Sequence, residues 1–112
     1  MDEIKISITH KSEIERFILL SIIGLMDSLI VGAIAIEDCE VYLFSPYSVD
    51  KLNALNIDKN IVDLVEMGCE LEDVESLIPE KLHKSIDEIR LKAIDLLINL
   101  PKEEVGLKKW ID

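Results

Sequence analysis

"FILLSIIGLMDSLIVGAIAI", residues 17–36, is the stretch whose reading decides the fold. It is long enough to cross a bilayer, which takes about 20 apolar residues. Asp27 interrupts it. At about 2.5–3.5 kcal/mol on an insertion scale, that penalty is one that a dozen aliphatic residues offset. Charge alone leaves the choice open, and periodicity favours the soluble reading, with a membrane helix as the alternative. At 100° per residue, Glu13, Arg16, Ser21, Gly24, Asp27 and Ser28 fall on one stripe roughly 140° wide, with an almost wholly apolar face around the remainder. A polar stripe that runs from the charged start through Asp27 predicts a helix half-sunk in a soluble core. "AIA" at 33–35 resembles a signal-peptidase site. Residues 1–16, however, set Asp2, Glu3, Glu13 and Glu15 against Lys5, Lys11 and Arg16, the wrong charge for a signal n-region. The expected location is the cytoplasm, with no membrane as partner.

Upstream of this helix, Ile4, Ile6 and Ile8 alternate with Lys5 and Ser7, which predicts an extended arm or edge strand within residues 1–11. "SEIE" at 12–15 reads as a capping box, Ser12 accepting from the amide of Glu15 while the Glu15 side chain reaches back. The helix should run to about Val31 and stop at Gly32.

Downstream, "IEDCEVYLF" places Ile36, Cys39 and Leu43 on one side at helical spacing, with Glu37 and Asp38 in a first turn where the helix dipole favours acids. A strand over 41–44 is the competing reading. Ser45-Pro46 breaks the chain direction, because the residue before proline avoids the helical region. Ser48 is the expected cap of a short helix burying Val49, Leu52 and Leu55, with Asn56 at its left-handed exit. Asp58 should cap a helix facing Ile61, Leu64 and Val65 inward, with Gly68 as its stop. About two turns follow from Cys69 to Ile78, then Pro79 at the first position of a long helix over 79–100. That helix should bury Leu82, Ile86, Ile89, Ala93, Leu96, Leu97 and Leu100, while Lys84, Glu88 and Lys92 pair at i,i+4 outside. Pro101 ends it. The tail 102–112 reads as a weak final helix pinned to the body by Trp110.

These elements follow one another at short spacing, with no repeat or linker, so residues 1–112 are expected to form an all-α single compact domain of about five to six helices. A chain of 112 residues can bury a core without metals or disulfides, and with only 4% aromatics that core must be aliphatic. Cys39 and Cys69 have no CxxC or Cys/His spacing and read as free, largely buried thiols of a reducing compartment.

The net charge of −11 repels a phosphate backbone, which disfavours nucleic acid as a partner, and suits a basic protein. The acids are densest in "GCELEDVESLIP", residues 68–79. With Glu70 set at 0°, Leu71, Val74, Leu77 and Ile78 cover an apolar arc of about 120°, and Glu72, Asp73 and Glu75 point elsewhere. Carboxylates spread in this way read first as a solvated helix face. The alternating ligands and central glycine of a calcium loop are missing. "EKLH", 80–83, has the Glu-x-x-His spacing of di-iron bundles, but those need two such motifs, so His83 reads as an exposed helix residue. The phosphate-loop, nucleophile-elbow and zinc-protease motifs do not occur in the chain. No catalytic residue, metal or cofactor is expected.

"YLFSPYSVDKL" (42–52) and "GCELEDVESLIPEKLHKSI" (68–86) resemble the signature of a bacterial family of small acidic proteins, a domain of unknown function found chiefly in Gram-positive bacteria with AT-rich genomes. The resemblance extends from about Ile22 to Ile86 and implies a soluble cytoplasmic helical protein, with no activity to carry over. The function expected from charge and composition is a non-enzymatic interaction module, in its concrete form an antidote-like protein covering a basic toxin or nuclease domain. Glu40, Glu66, Glu70 and Asp73 would be its contacts. The alternatives are a structural or regulatory homodimer using spare aliphatic surface on the first or last helix, and a small metal protein or enzyme using the acids of 66–83 with His83.

Overall fold

The computed structural model describes residues 2–101 and 109–112. Its longest helix, α1 (Lys11–Ile30), follows directly from the pattern around Phe17–Ile36. Leu19, Ile22 and Met26 recur at helical spacing and are completely buried, each contributing about 1.5–3 kcal/mol. Val31 closes the helix and Gly32 follows with φ +74°, where a residue without Cβ is unstrained. The helix α6 (Leu82–Asn99) lies along α1 as its main partner and buries Ile86, Ile89 and Ala93. Asp27, the residue that made a membrane reading costly, pairs instead with Arg90 of α6. Among the described residues no helix is long and apolar enough to cross a membrane.

Four shorter helices close the core. They are α2 (Ile36–Tyr42), α3 (Pro46–Ala54), α4 (Lys59–Cys69) and α5 (Leu71–Leu77), and a 3₁₀ turn over Pro79–Lys81 leads into α6. The fold is all-α, with four helices of nine residues or more and two of seven among the described residues. Residues 41–44 form no strand: α2 ends at Tyr42, and Leu43 and Phe44 turn inward to be buried. Asp38 ties the start of α2 by accepting from the Ala35 amide at 2.8 Å. Asp58 caps α4 as expected, accepting from Asn60 at 2.8 Å, worth about 1 kcal/mol. Asn56, at φ 57°, makes the left-handed exit from α3.

Several local expectations are corrected. α1 begins at Lys11 with His10 at its N-cap, so Ser12 lies inside the helix and is not its cap. Glu15 is buried at 7% exposure, and its carboxylate accepts from the Asp58 amide at 2.9 Å. That charge-assisted bond, worth about 1.5–3 kcal/mol, joins α1 to the start of α4 and satisfies a position where the helix dipole welcomes an acid. Ser45 rather than Ser48 caps α3: it accepts from the Ser48 amide at 3.3 Å, and Pro46 takes the first helical position, where its missing N–H costs nothing. Leu55 is 42% exposed, not core.

Gly68 does not stop α4. The helix passes through it to Cys69, and a Cβ on Gly68 would lie 2.5 Å from three ring carbons of Phe44. The glycine is there to admit the ring. On α5, Leu71 is buried and Val74 half-buried, but Leu77 and Ile78 stay exposed, so only half of the expected apolar arc is covered.

Both ends of the chain meet on α1. The extended arm pairs antiparallel with the tail through an Ile6–Ile111 bridge, Ser7 donating to the Trp110 carbonyl at 2.9 Å and Asp112 to the Lys5 carbonyl at 2.8 Å. Trp110 stands edge-on to Phe17 with centroids 5.2 Å apart, and its Nε1 donates to Glu13 at 3.2 Å. The tail is therefore pinned by Trp110 as expected, but 109–112 is extended, not helical. The rest of the expected final helix, 102–108, lies outside the described residues.

Candidate functional site: an acidic face at the α4–α5 junction

The four acids singled out in the sequence come from three helices. Glu40 is on α2, Glu66 on α4, Glu70 at the joint between α4 and α5, and Asp73 on α5. The joint is tight because α4 ends at Cys69 and α5 starts at Leu71, with Glu70 serving as the cap of both. Leu71 anchors this corner in the core, and α2 packs against both α4 and α5.

Folding brings three of the four together. Glu66, Glu40 and Glu70 all bear on the thiol of Cys69, which burial first and then those charges raise above its ordinary value. Asp73 does not join them. It shares with Glu70, Val74, Leu77 and Ile78 a shallow groove of about 240 Å³ on the other flank of the joint. A second open groove, of about 350 Å³, is walled by Pro46, Val49, Asp50, Glu66, Cys69 and Glu70.

Two further acids belong to this face and were missed. Glu72 points toward α2: desolvation first, then the charge of Glu72 and a hydrogen bond shared with it, then Glu37, raise the Glu40 carboxyl above its ordinary value. Asp50, from α3, joins Glu66 and Glu70. Neither was visible in helical spacing, since each faces the cluster from a different helix. The only signal was the run itself: between Ile30 and Lys81 the basic residues are Lys51 and Lys59 alone, amid a dense series of acids.

Chemically the site is a concentration of hydrogen-bond acceptors and negative charge on an open surface. The Glu40–Glu72 pair can share one proton, as close carboxylates do. Among the described residues, no three His, Cys, Asp or Glu side chains converge as a metal site requires. Glu80 and His83 are both exposed. Burial and then Asp38 push the fully buried Cys39 up to about 11, and Cys69 is also raised, which disfavours the thiolate form of both. Exposed apolar side chains lie on the same elements, Val41 at 81% and Tyr42 on α2, Tyr47 at 78% on α3, and Leu77 at 77% on α5.

No curated protein and no solved structure matches the chain. A family model does, over residues 9–112, spanning both the acidic corner and the tail that carries Trp110. The chain belongs to the family described as "Protein of unknown function (DUF3969)".

Proposed function

We propose that this protein is a non-enzymatic interaction module whose acidic corner docks a basic protein. The observation that carries this reading is the open groove that Asp50, Glu66 and Glu70 line with Cys69, next to the Glu40–Glu72 pair whose charge raises the Glu40 carboxyl. Crowding like charges costs folding free energy, and a cationic partner relieves that cost on binding. Val41, Tyr47 and Leu77 supply apolar contact on the same elements, matching interfaces in which a few aromatic or aliphatic anchors sit within a polar rim. A concrete form is an antidote-like role in the cytoplasm, in which the corner covers the nucleic-acid-binding surface of a basic toxin or nuclease domain and competes with its phosphates.

The test is affinity isolation of binding proteins from native cell extract, with wild type beside the fourfold variant Glu40→Gln, Glu66→Gln, Glu70→Gln, Asp73→Asn. The reading expects a basic protein captured by wild type, lost to the variant, and released as ionic strength rises through the range where surface fields are screened. Equal capture by the variant refutes it.

A second reading is a homodimer through the helices, favoured by Leu91 and Ile98, which stand exposed on α6. Such a dimer would be insensitive to salt and abolished by Leu91→Lys with Ile98→Lys.

A further inference from the structure

The paired termini leave an edge open. Around the Ile6–Ile111 bridge, the inward hydrogen bonds are made by the Ser7 amide and the Lys5 carbonyl. By strand alternation, the N–H and C=O groups of Ile4, Ile6 and Ile8 point away from the tail. These outward groups make no hydrogen bond within the described residues. Ile4, Ile6 and Ile111 are exposed side by side on one face of the ladder, because i,i+2 residues share a face and Ile111 lies opposite Ile6. A two-stranded ladder with an apolar face in water is marginal without further strands, and an exposed edge with unpaired backbone groups is a template for another chain.

We infer that a second copy of this chain pairs along this edge, the two arms running antiparallel about a twofold axis at Ile6. The arm is self-complementary in that register. Ile6 faces Ile6 of the other copy, Ile4 faces Ile8, Lys5 faces Ser7, Glu3 faces Thr9, and Asp2 faces His10, an acid against a base. No like charges oppose each other, although the chain carries −11. An axis at Ile4 or Ile8 keeps the outward groups in phase but pairs only residues 2–6 or 6–10, and the nearer registers fit less well. An axis at Lys5 puts lysine against lysine. An axis at Ser7 sets Ile4 against His10 and needs Lys11, which is already in α1. An axis between residues mismatches inward and outward groups. The favoured register uses all of residues 2–10, which lie outside any helix. It joins two ladders into a four-stranded sheet, and the twofold symmetry limits growth to the dimer. This surface is separate from the acidic corner, so the two stand or fall independently.

Sedimentation equilibrium of the full chain over about 1–100 micromolar tests it. Wild type is expected at twice the chain mass in the upper part of that range, unaffected by added salt. Ile6→Pro removes only an outward N–H, which a lone edge tolerates. It should weaken self-association at least about tenfold by deleting the central pair of hydrogen bonds. Trp110 emission reports whether the arm–tail ladder persists in that variant. Should proline disturb it, Ile6→Lys keeps every backbone group and sets two lysines face to face, and it too must yield monomer. A wild type that stays monomeric throughout, or a dimer that survives Ile6→Lys, overturns the inference.

Discussion

The middle of α1 and the end of α4 each place a glycine inside a helix, and the two positions have opposite physical meanings. At Gly24 a Cβ would meet nothing within 4 Å. The residue borders a shallow groove with Ser21 and Ser28, whose hydroxyls donate back to the Phe17 and Gly24 carbonyls. At Gly68 a Cβ would sit 2.5 Å from the Phe44 ring, itself buried. One glycine is merely a weak helix former on an open face. The other is the gap through which the α2–α3 connection locks onto α4. The same letter in a helical pattern says nothing about which case holds, because the difference lies in what a distant segment brings up against it.

Substitution to alanine breaks the symmetry most sharply at Gly68. Overpacking typically costs about 1–3 kcal/mol, against about 1 kcal/mol gained in helix propensity, and the ring that must shift is itself buried. Gly68→Ala is therefore expected to lower the urea midpoint. In a Phe44→Ala background, which itself costs about 3–5 kcal/mol, the same change should become neutral or stabilising. A double-mutant cycle measures that coupling, and simple additivity would mean the ring is not the obstacle. A smaller effect of opposite sign is expected at the open site: Gly24→Ala should stabilise by about 1 kcal/mol, read as a higher midpoint with unchanged slope. A loss there would show that the α1 groove is closed by something a methyl group displaces.

The smallest effect concerns charge on α2, where it packs against α4 and α5. Glu40 holds its proton to higher pH than an unfolded glutamate does, so folding favours its protonated form. Stability from this group is fully present below the ordinary glutamate range and is lost as pH rises through the raised value. Glu40→Gln cannot ionise. It is expected to be more stable than wild type at neutral pH, with the difference shrinking as acid titrates the wild-type residue. Paired denaturation curves at neutral and acidic pH would sink this if the gap stayed constant.

Much of the helical framework was legible because it rests on local chemistry. Asp58 announced a helix start, Pro79 the 3₁₀ turn that leads into α6, Asn56 a left-handed exit, and the polar stripe through Asp27 left Leu19, Ile22 and Met26 on the face that is buried. The failures share one cause. Glu15 looked like half of a capping box, yet its carboxylate serves an amide 43 positions away. Gly68 looked like a stop and is a packing gap. Leu77 had core spacing and is exposed, since α5 is covered along only part of its arc. The acidic site was half legible for the same reason: the sequence showed a run of acids, but Glu72 opposite Glu40, and Asp50 beside Glu66, depend on helices packing across one another.

By itself, then, the sequence determined an all-α chain with an aliphatic core and a strong negative charge, because periodicity, capping and composition act within a few residues. Tertiary structure decided which acids meet, which glycine is essential, and that the arm around Ile6 and the tail around Ile111 form one ladder tied to α1 by the Trp110–Phe17 contact. Those outcomes depend on distances between segments far apart in the chain, where burial and steric exclusion, not local propensity, set the free energy.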